Sequence, residues 1–347
     1  QSSASQTAAM NFLHKSEGQP AVLPVLIHVL RNREGNFSEQ CRLLAVICIK
    51  NNVDRCWTQR GGNAVIPPNE KDLLRSEVFE MIGEENNKLS IQIAVLISRI
   101  ARCDWPQNWT NLFDLLFQCL RSPSWTLATN SMQALLQVVL VLNGKKLARN
   151  KAQFCSIATE MLQPLSQVWN DICEQFFSLD SCPKDAESLG QFCAMGNHLC
   201  TCTRILQILM MLCFNSMRGD QFVQFLYQAI GDRISTLSSL LTSSDVRFEF
   251  SGEECGGGNI WASVGSWQDG NDPVDSGLPS CGEVCCGFGM DAVDCAATVG
   301  ASGFPPGQHS EYRVAASLTI ARVLMSLSVI PLHLQQESKH ADFNIYI

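Results

Sequence analysis

Residues 91–120 read IQIAVLISRIARCDWPQNWTNLFDLLFQCL. Ile91, Ala94, Val95, Ile97 and Ile100 recur at helical spacing, which predicts a helix over 87–103. Trp109, Leu112, Phe113, Leu116, Phe117 and Leu120 form a second apolar stripe, predicting a helix over 106–121. Between the two, Asp104 suits an N-cap and Pro106 a first helical turn, where its missing N–H leaves nothing unpaired. Each helix carries more apolar surface than it can expose, so the pair must bury itself against others of its kind. The stretch reads as one unit of a helical solenoid.

The chain has 347 residues, 46% of them hydrophobic, enough to bury a sizeable core. Opening on Gln1 rather than Met, it reads as a fragment of a longer protein. A formal net charge of -8 argues against general nucleic-acid binding and suits basic partners. Gln1–Ser16 lacks a charged segment followed by an apolar run, and runs such as Ala134–Leu142 are short for a bilayer, so neither a signal peptide nor membrane insertion is expected. The sequons at Asn36 and Asn108 read as incidental. The seventeen cysteines, an odd number, sit mostly inside helical stripes (Cys48, Cys103, Cys173, Cys213), as reduced buried hydrophobes rather than a disulfide framework.

In chain order, a helix ending near His14 is broken by Gly18-Gln19-Pro20, and a second carries Leu23, Leu26, Ile27 and Leu30. Ser38 caps a helix over 39–57 that is apolar almost all round until Lys50, as expected for one buried on both sides. Asn69-x-x-Asp72 resembles a capping box opening a helix over 70–83. Further helices are expected from Pro123 or Ser124 to Leu142, over 147–178 with a kink at Pro164, 190–217 and 220–241, the last burying Phe222, Phe225, Leu226, Ala229 and Ile230. The first helices of successive pairs then begin near 38, 87 and 124, a spacing close to the ~40–47 residues of HEAT-type repeats. A compact all-α bundle is the alternative, disfavoured by ten similar helices in simple succession.

The composition changes after Arg247. From Phe248 to Tyr312 there is no Lys or Arg, and residues 251–308 hold thirteen of the 23 glycines. That segment, 248–312, is expected to be disordered, either as an insertion between helices or as a stretch foreign to the native coding sequence. An isolated helix, Val314–Ile330, and a polar tail complete residues 313–347.

No arrangement of residues requires catalysis, a cofactor or a metal. Cys281, Cys285, Cys286 and Cys295 near His309 match no zinc pattern, and Cys200 and Cys202 beside His198 would point different ways on one helix. Gly144-Lys145 lacks the upstream glycine of a phosphate loop. Trp57, Trp105, Trp109 and Trp125 suit packing better than base stacking.

Two segments carry a resemblance. Arg42–Trp57, RLLAVICIKNNVDRCW, is similar to the importin-beta N-terminal domain of nuclear transport receptors, with Ile49-Lys50-Asn51 in place of the family's Leu-Lys-Asn. Residues 70–113 extend it through EK-x-x-L-R, Q-x-A-V-L-I-S-x-I-A-R and D-W-P-x-x-W, most like the importin-eleven branch. The resemblance is strong over 12–121 and continues by helix pattern to about 247. It implies an importin-beta N-terminal domain over 1–121 and further HEAT-like repeats over 122–247, in an all-α, right-handed α-solenoid. It further implies a receptor, not an enzyme, that shuttles between cytoplasm and nucleus with protein cargo. Such a receptor touches nucleoporin Phe-Gly repeats and binds Ran in its GTP state. Lys50 and Asn51 occupy the family's Ran-facing position, and Asn52 and Arg55 are added to the expected Ran-binding site as near neighbours. The alternatives are a generic HEAT scaffold or adaptor and an exportin.

Overall fold

Ser38, Asn86 and Ser124 each open a long helix by accepting a backbone N–H three residues on, from Cys41 at 3.3 Å, Leu89 at 3.2 Å and Leu127 at 3.4 Å. These caps fix the starts of three of the helices in the computed structural model. It describes residues 3–32, 37–58, 65–145, 148–179, 185–213 and 221–243, together with 316, 319–324 and 326–327. The helices are α1 (Ser3–Ser16), α2 (Val22–Arg31), α3 (Glu39–Cys56), α4 (Pro68–Glu80), α5 (Asn87–Asp104), α6 (Leu112–Leu120), α7 (Trp125–Asn143), α8 (Ala148–Ser178), α9 (Ala186–Cys213) and α10 (Gln221–Ser243). Among the described residues there is no strand.

The helices form two layers. α3, α5, α7 and α9 pack side by side in one, and α2, α6 and α8 lie across their partners α3, α7 and α9 in the other, with α4 beside α2. In the α8–α9 pair Cys155 meets the Leu212 carbonyl, Trp169 donates to Thr203 at 3.0 Å and Phe176 stacks on Phe192. One set of numbers rises as the other falls, which is an antiparallel hairpin. The result is an all-α stack of helical hairpins, the α-solenoid expected from the helical patterning. The phase differs from expectation: the helices that begin near 38, 87 and 124 are the second arms of their hairpins, not the first. α5 therefore closes one hairpin and α6 opens the next, so residues 91–120 are a joint between two units rather than one unit.

That joint also departs from its local reading. Asp104 is the last residue of α5 and caps nothing. Its buried carboxylate accepts from Trp57 Nε1 at 2.8 Å and from Arg75 on α4. Pro106 lies in the turn, its peptide with Trp105 is cis, and α6 starts only at Leu112. Both tryptophans of the corner are buried. Trp105 meets Phe113 and Phe154 edge-on at 5.6 and 6.0 Å, and Trp109 meets Phe79 at 5.8 Å. One turn thus ties α4, α6 and α8 together.

Other expectations are corrected by packing. α4 opens with Pro68 at its first position, without a side-chain cap from Asn69. α3 is not buried all round: Leu44 and Ile47 face outward. At 19 residues α7 is long and apolar enough to cross a membrane, contrary to the sequence reading, but it is packed between α5, α6 and α9 as a core helix. The described cysteines are all free, and burial pushes the Cys173 thiol up to about 12. Residues 319–324 are helical and lie against α9 rather than apart. The 248–312 segment, its cysteines and the side chains of Phe222, Phe225 and Leu226 fall outside the described residues.

Candidate partner-binding surface

The C-terminal half of α3 presents two faces. Ala45, Val46, Ile49, Asn52, Val53 and Cys56 recur at helical spacing and are buried. Leu44, Ile47, Asp54 and Arg55 are exposed, with Asn51 half-buried among them. The four residues expected as a Ran-binding site are therefore divided. Asn52 belongs to the buried stripe. Its Oδ1 accepts the Gly18 N–H at 2.8 Å and its Nδ2 donates to the Cys48 carbonyl at 2.9 Å. It fixes the α1–α2 link, where Gly18 takes a φ of 71° that favours glycine. Its position on the stripe of Ile49 and Cys56 is the sequence signal that would have placed it inside.

Lys50 is half-buried and donates to Gln92 of α5. Loss of water and the nearby Arg99 guanidinium lower its pKa from the ordinary lysine value. Arg55 is exposed and pairs with Glu17 at 2.7 Å, with His14 3.0 Å away. Asp54 pairs with Arg99. Lys50 thus stands on the flank of α3 toward α5 and Arg55 on the flank toward the α1–α2 link, with Asn51 on the accessible face between them.

The residues missed by sequence reasoning lie on α5. Lys88, Gln92, Val95, Arg99 and Arg102 follow one another at three- and four-residue intervals, and none of them is buried. Together with α3 they give a surface bearing Lys50, Arg55, Lys88, Arg99 and Arg102 against Asp54 and Glu17. It is basic although the whole chain carries -8. Periodicity alone identifies the α5 stripe, but its neighbourhood to Lys50 depends on α3 and α5 lying side by side. Among the described residues no group of three His, Cys, Asp or Glu side chains is placed to hold a metal ion. His198 faces Trp125, with ring centroids 5.0 Å apart, while Cys202 is in the core.

The family model for the importin-beta N-terminal domain matches residues 9–84, which contain all of α2 and α3. Importin-11 of Mus musculus and of Homo sapiens are each 27% identical over 177 residues, 51% of this chain and 18% of theirs. Importin beta-like protein KAP120 of Saccharomyces cerevisiae is 41% identical over 117 residues, 32% of this chain and 11% of its own. The chain thus spans less than a fifth of the length of these relatives. Among solved structures, Lph2, described as a bidirectional nuclear transport receptor in S. cerevisiae, superposes with a TM-score of 0.55. It is 25% identical, over 69% of this chain and 22% of that one. The exportin Cse1 in its cargo-free, cytoplasmic state shares the fold, with a TM-score of 0.51 and 18% identity over 71% of this chain and 25% of that one. Residues 9–84 thus match the importin-beta N-terminal domain, and the chain is similar over about half its length to importin-11, a nuclear transport receptor of that family by name.

Proposed function

We propose that this chain is the Ran-binding N-terminal part of a nuclear transport receptor. Its work is binding: it engages Ran in the GTP state, carries protein cargo with the rest of the receptor, and passes the pore by touching nucleoporin Phe-Gly repeats as it shuttles between cytoplasm and nucleus. The observation that supports the reading most is the Lys50–Asn51 pair. It sits in the family-matched segment, at the accessible edge of α3, within a locally basic surface. Such a surface steers an acidic partner face, and a lysine already partly stripped of water gives up less hydration when covered. Asn52 supports the site from inside, by holding the α1–α2 link. Ran's switch segments are ordered by the γ-phosphate, so a receptor that grips them senses the nucleotide without chemistry.

Titration of the chain with Ran loaded with GTP or GDP tests this. Preferential binding of the GTP form is expected, and Lys50→Ala should weaken it by at least tenfold, while Lys151→Ala on the exposed side of α8 leaves it unchanged. Binding that ignores the nucleotide would favour a HEAT scaffold and end the proposal. Direction of transport follows from linkage: an importin's cargo and Ran oppose each other, whereas an exportin's reinforce each other by the same factor seen from either side.

A further inference from the structure

The two-layer alternation runs on beyond α9. In the layer of α3, α5, α7 and α9 neighbouring helices run in the same sense, as Arg42 meets Glu84 and Lys50 meets Gln92 with both numbers rising together. α10 falls against the other layer, where the Arg233 guanidinium lies over the Phe177 ring of α8 at 5.3 Å. The helical residues 319–324 fall against α9. Thr319 Oγ1 is 3.3 Å from Cys193 Sγ, and Val323 Cγ2 is 3.7 Å from where a Cβ on Gly196 would stand. Here too the numbers rise together. Ala316, Ile320, Val323, Leu324 and Leu327 are buried, at intervals that make one helix face.

Gly196 makes this approach feasible. A Cβ there would come within 2.3 Å of the Thr319 methyl carbon and 3.4 Å of the Phe176 ring. The first distance is an overlap that close-packed interiors relieve only by moving the helix. Glycine in mid-helix is disfavoured relative to alanine, and here it lets a second helix sit close.

We propose that α10 and the helix marked by residues 316, 319–324 and 326–327 are the two arms of a fifth hairpin, that the Gly196 face of α9 is the docking surface for its second arm, and that the chain between the arms is an insertion which the stack does not require. The occupant of the α9 face is thus a later segment of the same chain. The pattern is that of the four hairpins before it: first arm on one layer, second arm on the other, parallel to its predecessor.

Thr319→Cys in the full chain tests the docking directly. Mild oxidation with diamide, which takes up the two electrons and two protons released by the thiols, should join position 319 to Cys193 within one chain. Peptide mass mapping reads the link, and unmodified protein gives the background. Adding Gly196→Leu should lower the yield several-fold while amide exchange in α5 and α7 stays unchanged. Replacing residues 244–315 by a linker of about eight residues, at the upper end for connections between packed helices, should keep both the link and the melting temperature. Absence of the 193–319 link, a link between two chains instead of one, a yield indifferent to Gly196→Leu, or loss of the link on excision would each overturn the proposal. Because the link in Thr319→Cys alone needs no disruptive change, misfolding of the leucine variant cannot decide the outcome.

Discussion

Asp104→Ala should be among the most destabilising single changes in the chain. The carboxylate is buried and holds two groups from other elements: the Trp57 indole N–H at 2.8 Å, just after α3, and the Arg75 guanidinium on α4. Truncation leaves the indole N–H unpaired in a site from which water is excluded, and leaves Arg75 with only the exposed Asp72. Removing one member of a buried charge pair costs roughly 3–5 kcal/mol, most of it the penalty on the charge left behind. Asp104→Asn keeps an acceptor for Trp57 but loses the charge, so a smaller loss is expected, about 1.5–3 kcal/mol, the scale of a charge-assisted hydrogen bond. The reasoning makes a stricter demand on the pair. In Arg75→Met no guanidinium remains to be stranded, so Asp104→Ala should cost at least 1 kcal/mol less in that background. Urea unfolding followed by circular dichroism and by tryptophan fluorescence reads the wild type and all four variants. If Asp104→Ala shifts stability by less than about 0.5 kcal/mol, as surface changes do, or if the two sites prove additive, the buried-hub account is refuted.

Three further outcomes follow from the same coordinates. Burial beside Trp125 lowers the His198 pKa to about 4, below its ordinary value of roughly 6.5. The folded state therefore gains from a neutral ring above pH 6.5 and loses about 3 kcal/mol as the pH falls from there through 4; a His198→Phe variant should lose much of that dependence in urea titrations at each pH. Ala21 adopts a φ of 66° before α2, a left-handed conformation that costs a non-glycine residue about 1 kcal/mol, so Ala21→Gly should raise the melting temperature, and a fall would show that the strain is absent. Lys50→Ala, which loses one hydrogen bond to Gln92, should lower stability by no more than about 1 kcal/mol while weakening GTP-loaded Ran far more; equal losses in both would make Lys50 a packing residue.

Helix positions and the solenoid class were legible in the sequence because they rest on local quantities: the cap at Ser38, apolar period, and breaks at glycine and proline. What was not legible depended on partners far along the chain. Asp104 looks like a cap because an acidic residue precedes Trp-Pro, yet its partners lie 47 and 29 residues earlier. The phase of the hairpins was invisible for the same reason. Spacing fixes how often a pair recurs, but whether α5 turns back on α4 or on α6 is settled by the buried tryptophans of the joint. The proposed site divides along that line. Lys50 and Asn51 came from the family motif. The fate of Asn52 was present in its period, and the basic stripe of α5 came into view only when α5 was laid beside α3.

That juxtaposition bears on how such a surface would work. Neither cation at the edge of α3 is free: Lys50 is held by Gln92, and Arg55 is held by Glu17 from the end of α1. A partner carboxylate approaching Arg55 competes with Glu17, whereas one approaching Lys50 meets a neutral amide that can stay in place. The two cations therefore differ in kind although they stand five residues apart. Lys50 is ordered beforehand by a contact that leaves its charge unneutralised, so little side-chain entropy remains to be lost on binding. Arg55 trades one ion pair for another, which sets selectivity more than affinity. Nucleotide-dependent binding would thus be expected to lean on Lys50, and the choice among acidic partners on the balance between Arg55 and Glu17.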